Sequence, residues 1–278
     1  MILNKSKSDE IDTSKYKVYL RTVKASAIRT LSEALKEVLL ETNMHFTKDG
    51  VKICAIDSMN IAFVNLRLDA LKFDSYYCPN RVSVGIRLTT FHKLLKTVGN
   101  NDIISLYIEK DSADDNQNLG IQIYNKEKKV KRISKLTLID LDEKTFSVPK
   151  MEFDNTFTVQ CVDFQKYCRD LWNISENIDI FIKNEGDTLV MIAKGTESDQ
   201  MIEIGGTKYD DEGEGEKEDD SQMIGSYKVK FLNLFCKSSS MCNTLQVSLK
   251  ETYPIVLTYS VADIGEILFC LTPNAIVG

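Results

Sequence analysis

Apolar residues in this chain follow two periodicities in turn, the helical one and the two-residue alternation of β-strands. Four segments have helical spacing, at residues 24–38, 88–98, 163–174 and 230–239. Short alternating or β-branched segments surround each of them, and two such units lie in each half of the chain. The sequence therefore predicts an α+β fold with an internal repeat, in which the two halves share one architecture.

The predicted strands are short and occupy most of the remaining sequence. They lie at 16–23, 51–56, 61–68, 81–87, 103–108, 119–124 and 133–141 in the first half, and at 156–161, 178–183, 188–193, 201–204, 223–229, 245–249, 255–261 and 266–271 in the second. Gly99 and Asn100 form a stop signal after the second helix, and Asp163 is the predicted N-cap of the third.

Two segments interrupt the repeat and divide the chain. Residues 142–155 contain a proline and few strand signals, and they form the predicted link between the halves. Residues 210–220 are so rich in Asp, Glu and Gly that we expect a solvated loop there and not a metal site. The predicted divisions are a flexible extension at 1–15, an N-terminal domain at 16–141, a connecting loop at 142–155, a C-terminal domain at 156–273 and a tail at 274–278.

Positive charge is concentrated in the helical segments, although the chain as a whole is acidic. Ten Lys or Arg and three Asp or Glu, a net charge of +7, lie in segments 24–38, 89–98, 164–174 and 228–240. Because the whole chain has a net charge of −6, the rest of it carries −13. This segregation of sign predicts one surface that faces a polyanion.

The basic residues share a face within each predicted helix, because they recur at intervals of three or seven residues. These sets are Arg29 with Lys36, Lys93 with Lys96, Lys166 and Arg169 with Asn173, and Lys230 with Lys237. The opposite faces are apolar, and no exposed aromatic residue is predicted among the cations. The pattern indicates phosphate contacts, which ignore base sequence and weaken with salt. Exposed helix faces commonly carry lysines for solubility alone. That explanation is adequate for a single basic helix but explains four basic helices less well.

The composition excludes several classes of protein. The chain has two histidines and no phosphate-binding loop, and Asp57, Asp140 and Asp142 fit turns and strand ends better than a catalytic pair. We therefore predict no catalysis, no metal and no cofactor. Seven cysteines without a C-x-x-C pair predict reduced, mostly buried thiols. No apolar run is long enough for a bilayer, and the start is unlike a signal peptide, so an intracellular protein is expected.

An ordered series of segments resembles the proliferating cell nuclear antigen family, the eukaryotic sliding clamps. It comprises 31–38 (LSEALKEV), 51–58 (VKICAIDS), 88–96 (LTTFHKLLK), 99–103 (GNNDI), 138–142 (LIDLD), 163–171 (DFQKYCRDL), 231–235 (FLNLF), Tyr253 with Pro254, and 261–265 (VADIG). The resemblance extends from residue 16 to residue 273, and its specificity lies in the order and spacing of the whole set.

The resemblance implies a DNA clamp fold. Two similar domains would each place two helices on an inner face and antiparallel sheets outside, and three identical subunits would close a pseudo-sixfold ring around duplex DNA. Such a homotrimer tethers DNA polymerase and other replication and repair proteins as a processivity factor. An ATP-dependent loader and ligase- or nuclease-type proteins with short peptide motifs would be further partners. The expected location is the nucleus or, for a viral protein, the host nucleus or a cytoplasmic replication site.

The resemblance also assigns residues to three sites. The DNA-facing residues would be Arg29, Lys36, Lys93, Lys96, Lys166, Arg169 and Lys237. The apolar pocket for partner peptides would be formed by Ile56, Asn60, Ile61, Phe63, Phe146, Val148, Pro149, Phe153, Tyr253, Pro254, Leu271, Thr272 and Pro273. The subunit interface would pair an edge strand at 119–124, with Leu119, Ile121, Ile123 and Tyr124, with one at 199–206, with Met201, Ile202 and Ile204.

Some positions differ from the family pattern. Asn173 and Thr30 occupy positions where a histidine and a second lysine are common on the DNA face, so a slightly lower affinity for DNA is expected. Asn60 and Cys270 replace the usual histidine and tyrosine of the pocket, which alters the expected partner preference. Lys183 lies near the position of a modifiable lysine, without a firm match.

Two other assemblies remain open at this stage. The chain could be one subunit of a heterotrimeric checkpoint-type clamp, or a clamp-like viral transcription or replication factor that does not close a ring. The presence of both edge strands and of all four basic helices in one chain favours a clamp that closes with copies of itself.

Overall fold

The computed structural model describes residues 12–110, 118–142, 152–205 and 221–274. Within these ranges the α-helices are α1 (Ala25–Val38), α2 (Leu88–Leu95), α3 (Cys161–Trp172) and α4 (Val229–Phe235). Short 3₁₀ helices lie at Thr13–Lys15, Ala70–Lys72, Asn184–Gly186 and Cys236–Ser238. None of the described helices is long and apolar enough to cross a membrane.

The strands are short and antiparallel to their neighbours, as the alternating pattern predicts. In the first half they are β1 (Tyr16–Thr22), β2 (Glu41–Thr47), β3 (Gly50–Ile56), β4 (Ala62–Asp69), β5 (Ser75–Tyr77), β6 (Val82–Arg87), β7 (Asp102–Glu109), β8 (Asn118–Asn125) and β9 (Val130–Thr137). In the second half they are β10 (Asn155–Gln160), β11 (Asn177–Lys183), β12 (Thr188–Lys194), β13 (Asp199–Gly205), β14 (Gln222–Lys228), β15 (Thr244–Leu249), β16 (Ile255–Val261) and β17 (Gly265–Leu271).

These strands form three sheets. A five-stranded sheet has the order β5-β1-β7-β8-β9, and a four-stranded sheet has the order β13-β12-β11-β14. The third sheet, β10-β15-β16-β17-β4-β3-β2-β6, has eight strands and takes members from both halves of the chain. The described chain is therefore organised around one central sheet that crosses the boundary between the halves.

The crossing point is the antiparallel pair β4 and β17. Its register runs from Ala62 opposite Leu271 to Leu68 opposite Gly265, and the Asp69 N–H extends it by donating to the Ile264 carbonyl at 2.8 Å. Gly265 allows this close approach, because a Cβ there would lie 2.0 Å from the Arg67 carbonyl oxygen. Backbone hydrogen bonds thus fix the two halves to each other.

All four α-helices lie side by side in one layer. In spatial order, α2 contacts α1, α1 contacts α4, and α4 contacts α3. Side chains bridge neighbouring helices: Asn233 on α4 donates to the Cys168 carbonyl on α3 at 3.1 Å, and Gln165 donates to the Cys236 carbonyl at 3.3 Å. The order brings helices from both halves onto a common surface.

The core lies between this helix layer and the sheets. Each helix buries the apolar face that its spacing predicts, for example with Leu31 and Leu35 on α1 and Phe164 and Leu171 on α3. Phe235 of α4 stacks on Phe269 of β17 with ring centroids 4.7 Å apart. The helices are therefore anchored by their apolar faces, and their other faces remain available to solvent.

Several element boundaries differ from the sequence-based predictions. β2 and β5 were not predicted, and the strand expected at 133–141 ends at Thr137, although Ile139 still bridges to Gly85. The fourth helix ends at Phe235 and continues as a 3₁₀ turn. The prediction of Asp163 as an N-cap is wrong, because α3 begins at Cys161 after Gln160. Asp163 lies in the first turn, where its charge interacts favourably with the helix dipole.

The prediction of an edge strand at 119–124 is also wrong. This segment lies in β8, which pairs with β7 on one side and β9 on the other. Leu119, Ile121 and Ile123 are at most 4% exposed and belong to the core, and Tyr124 is half-buried. Their backbone groups are already paired, so they cannot form a strand ladder with a neighbouring subunit. The edges of this sheet are β5 and β9, whereas β13 is an edge strand of its own sheet as predicted.

Replacement of Phe269 tests the coupling of the two halves. Phe269 pairs opposite Val64 across the halves and stacks on Phe235, so Phe269→Ala is expected to lower the free energy of unfolding by about 3–5 kcal/mol. The control is Leu71→Ala at a side chain that is 91% exposed, for which a change within about 0.5 kcal/mol is expected. Urea unfolding followed by circular dichroism measures both. Equal effects of the two replacements would contradict this account of the core.

Candidate nucleic-acid interface

The solvent side of the helix layer carries a row of cations. Lys93 on α2 and Lys96 at the C-cap of that helix are exposed, as are Lys166 and Arg169 on α3. Arg29 and Lys36 on α1 are half-buried. Lys230 on α4 and Lys237 in the following 3₁₀ turn are exposed as well. Because the helices are adjacent, these residues occupy one surface. The structure thus brings together all seven predicted DNA-facing residues and adds Lys230.

Arg29 has a structural contact in addition to its place on this surface. Its Nη1 donates to the Val98 carbonyl at 2.5 Å, just beyond the C-terminal end of α2. Carbonyl groups at a helix C-terminus lack partners within the helix, so a cation placed there stabilises the end. Arg29 therefore fixes α1 against α2.

Lys36 is paired within its own helix. Its ammonium group contacts the carboxylate of Glu37, and both side chains are mostly buried. A phosphate that approaches Lys36 has to compete with this carboxylate. We therefore expect a smaller contribution to anion binding from Lys36 than from the exposed Lys93 and Lys96, which make no ion pair among the described residues.

An aromatic side chain interrupts the cationic surface at the end of α3. Trp172, the single tryptophan of the chain, is 48% exposed and follows Arg169 by three residues. The expectation that no exposed aromatic residue accompanies the cations is wrong at this position. The helical spacing does not predict this exposure, because Trp172 is four residues from Cys168 and eight from Phe164, at the border of the apolar face.

His92 lies between α1 and α2 beneath the cations. Its Nδ1 is 3.0 Å from the Ser32 hydroxyl oxygen, and the Ser32 hydroxyl donates to the Arg29 carbonyl at 2.6 Å. Burial lowers the pKa of His92, and the positive charge of Lys36 lowers it further, against the opposite effects of Glu33 and Glu37. The imidazole is therefore held toward its neutral form.

A second set of predicted residues gathers at one end of the central sheet. Ile56 ends β3, Asn60 and Ile61 lie in the turn to β4, and Phe63 follows on β4. The Thr272 N–H and hydroxyl both contact the Ile61 carbonyl, at 3.0 and 3.2 Å. This part of the predicted peptide pocket is therefore brought together. A groove of about 460 Å³ lies beside it, lined among others by Ala55, Ile56, Asp57, Asn60 and Leu141.

The β3–β4 turn is held by a buried carboxylate. Asp57 accepts hydrogen bonds from the backbone N–H groups of Met59, Ile61 and Ala62, at 3.0, 2.7 and 2.6 Å. Asn60 has a φ of +57°, a conformation that asparagine tolerates better than most residues. The role of Asp57 is therefore to shape this turn, as its position in the sequence predicts.

The remaining pocket residues fall into three groups. Tyr253 is exposed, with its carbonyl bonded to the Tyr227 hydroxyl at 2.9 Å, and Pro254, Pro273 and Phe153 are half-buried. Leu271 is 0% exposed, so its side chain belongs to the core and its assignment to the pocket surface is wrong. Phe146, Val148 and Pro149 lie outside the described residues, as do most of the connecting loop and the acidic segment 210–220.

The fold and this surface together define a class of protein. Two similar halves, whose helices form one cationic layer and whose antiparallel sheets form the opposite layer, are the architecture of a DNA sliding clamp. Two family models match the chain: the proliferating cell nuclear antigen N-terminal domain over residues 18–145 and the C-terminal domain over residues 147–274. The chain therefore belongs to the proliferating cell nuclear antigen family.

A viral relative supports this assignment. The chain is 29% identical over 260 residues to the probable DNA polymerase sliding clamp 1 of Paramecium bursaria Chlorella virus 1. The match covers 92% of this chain and 96% of that protein. The resemblance stated from the sequence is confirmed, and the role of the chain is that of a DNA sliding clamp.

The position of His92 leads to a test of the electrostatics at this surface. Its pKa is lowered from 6.5 in the folded chain, so the folded state binds fewer protons than the unfolded state as the pH falls through that value. The free energy of unfolding is then expected to decrease below about pH 6.5. Lys36→Met removes a nearby cation and should raise the pKa of His92. Histidine NMR titration measures it with His45 as the internal reference, and an unchanged or lower pKa would contradict the proposed effect of Lys36.

Proposed function

We propose that three copies of this chain close into a ring that encircles duplex DNA and holds replication proteins at it. The observation that carries the proposal is that one chain has two edge strands of opposite charge, β9 and β13, each without a partner strand on its outer side among the described residues. β9 contains Lys131, Arg132 and Lys135, whereas β13 contains Asp199 and Glu203. Exposed strand edges favour pairing with another chain.

The outward faces of the two edges match residue by residue. On β9, Leu136 is buried and points inward, so Lys131, Ile133 and Lys135 lie on the opposite face, where all three are exposed. On β13, Ile202 and Ile204 pack on the core, and Asp199, Met201 and Glu203 are exposed. Antiparallel pairing can place Lys131 opposite Glu203, Ile133 opposite Met201 and Lys135 opposite Asp199. Opposite charges and apolar pairs at such positions stabilise a sheet.

This contact joins different surfaces of identical chains, so each subunit keeps one edge of each kind. A head-to-tail contact of this type closes into a ring when the rotation between subunits divides a full turn. With two similar halves per chain, three subunits would give a pseudo-sixfold ring. The contact uses the Met201 side chain of the predicted interface and involves Ile202 and Ile204 only through their backbone, and it replaces the β8 residues with β9.

The helix layer would then line the hole. Its cations would meet phosphates without reading bases, and the acidic remainder of the chain would discourage binding of DNA elsewhere. A closed ring retains DNA by enclosure, so individual contacts can stay weak enough for sliding. A tethered polymerase is kept at a high effective concentration near the primer end.

The other partners follow from the same arrangement. The groove near the β3–β4 turn, with Tyr253 and Pro254, would receive short peptide segments of polymerases, ligases or nucleases. A separate ATP-driven loader would open the ring, because the sequence has no phosphate-binding loop. We propose no catalytic activity for the chain itself. Its place of action would be the nucleus or, if the chain is viral, the site of viral replication.

Charge exchange at the two edges tests the ring. The wild type is expected to sediment at three times the 31.6 kDa chain mass. Lys131→Glu with Lys135→Glu should shift the equilibrium to monomer by placing like charges opposite each other, and so should Asp199→Lys with Glu203→Lys. In an equimolar mixture, the edges of each variant are complementary only to edges of the other variant. Alternating dimers and longer open assemblies should form, but a closed ring of three should not, because it would have to contain one contact between like-charged edges.

The variant that carries all four replacements again has complementary edges and should recover the trimer. This rescue separates a specific contact from general damage. Sedimentation equilibrium over a dilution series measures each mass. A wild type that stays monomeric at micromolar concentration would favour a heterotrimeric assembly or a factor that does not close a ring.

Charge reversal on the helix layer tests the DNA channel. Lys93→Glu, Lys96→Glu and Arg169→Glu affect exposed side chains, so folding and trimer mass should be retained. Processive synthesis by the cognate polymerase should be lost, because the channel would repel phosphates. The control reverses Lys48 and Lys194, which are exposed but lie in a turn and at the end of β12, not on a helix. Unchanged processivity in the channel variant would refute the assignment of this surface.

A further inference from the structure

A second cationic surface lies outside the helix layer, at the turn that joins β8 to β9. Lys126, Lys128 and Lys129 are all exposed within four residues. The one acidic residue among them is Glu127, which accepts a hydrogen bond from the Asn101 side chain at 3.1 Å. Within the described ranges, none of these three lysines forms an ion pair. We call this segment, residues 125–132, the basic hairpin.

The basic hairpin is fixed in place and does not project freely. The Asn125 amide donates to the Asp102 carboxylate at 2.6 Å, and the Asn125 side-chain oxygen accepts from the Lys128 N–H at 2.8 Å. Lys129 has a φ of +51°, which completes the turn. A fixed backbone presents its lysines from a constant direction, which lowers the entropy lost when they bind an anion.

A hydrogen-bond network joins this hairpin to the end of α2. Arg132 donates from Nη1 to the Thr97 hydroxyl at 2.6 Å and from Nη2 to the Thr97 carbonyl at 3.3 Å. Asp102, which is buried, accepts from the Gly99 N–H at 2.9 Å and from Arg132 at 3.4 Å. The hairpin therefore continues from the end of the helix that carries Lys93 and Lys96.

We propose that the basic hairpin is an additional phosphate-binding surface, which contacts duplex DNA beyond the segment held by the helix layer. This inference rests on the proposed encirclement of DNA. Duplex DNA is longer than the helix layer and carries a charge about every 1.7 Å along its axis, so phosphates continue past the channel. The lysines of the basic hairpin, which lie next to the end of α2 and hence near Lys96, would contact these phosphates. The absence of aromatic residues in the hairpin favours phosphate contact over base stacking.

The alternative occupant is an acidic segment of a protein, either a partner or a neighbouring copy of this chain. The continuity with the cations of α2 favours DNA, because one rigid duplex can contact both surfaces. Arg132 is engaged with Thr97 and Asp102, so we assign it to positioning the hairpin and not to direct contact.

The test compares three variants in equilibrium binding to a 40-base-pair duplex, followed by fluorescence anisotropy across a salt series. The hairpin variant carries Lys126→Gln, Lys128→Gln and Lys129→Gln, the channel variant carries Lys93→Gln and Lys96→Gln, and the control carries Lys48→Gln and Lys194→Gln. The slope of log K against log salt changes by about 0.9 for each lost phosphate contact. We expect the hairpin variant, which removes three lysines, to lose about 2.7 units of slope and about tenfold in affinity at low salt.

Two further measurements make each outcome decisive. A photocrosslinking residue at position 129 should attach to DNA, whereas one at position 48 should not. Sedimentation equilibrium checks that the hairpin variant remains a trimer. A reduced slope with intact trimer and crosslinking supports the inference.

Other results would overturn it in different ways. If only the channel variant loses slope, the inference fails and the proposed function stands. If neither variant loses slope, the DNA channel fails as well. A hairpin variant that keeps its DNA slope but loses trimer mass would show that the lysines contact an acidic surface of a neighbouring subunit.

Discussion

The pairing of β4 with β17 is the contact on which the arrangement of this molecule depends. It joins four strands from each half into one continuous sheet of eight strands. Because each helix buries its apolar face on the sheets behind it, fixing the sheets also fixes the helices. The result is a single layer of four helices from two halves. Without that ladder the cationic faces would lie on two independently moving bodies, and no continuous surface would meet a duplex.

The helix ends show how structural and electrostatic roles are combined in the same residues. Arg29 and Arg132 both donate hydrogen bonds to carbonyl groups near the end of α2, at Val98 and Thr97. One arginine comes from the neighbouring helix and the other from an edge strand. Charge at the DNA surface is thus mechanically connected to the strand proposed to close the ring. Replacing either arginine would disturb packing as well as charge, which is why lysines are the better probes of DNA contact.

The sequence predicts the helices and their charge well, because a helical period places every fourth or seventh residue on one face regardless of tertiary context. It predicts strand identity less well. β8 and β9 both alternate, and only the strand order shows that β8 is interior and β9 is the edge. The alternation that includes Leu119 and Ile121 predicts that one face of this strand is buried. It does not predict which strands pair with its backbone. Leu271 was likewise assigned to the pocket surface, although its position along β17 buries it in the core.

Sequence-blind binding and ring closure place opposite demands on electrostatics. Contacts to DNA have to be weak and similar along the duplex, which suits exposed lysines whose interactions are screened by salt. Contacts between subunits have to last while the ring slides, and surface charges alone contribute little to such stability. The outward face of β9 combines Ile133 with its lysines, and β13 combines Met201 with its carboxylates. Charge can then select the partner edge and its register, while backbone hydrogen bonds and apolar burial supply most of the stability of the subunit interface.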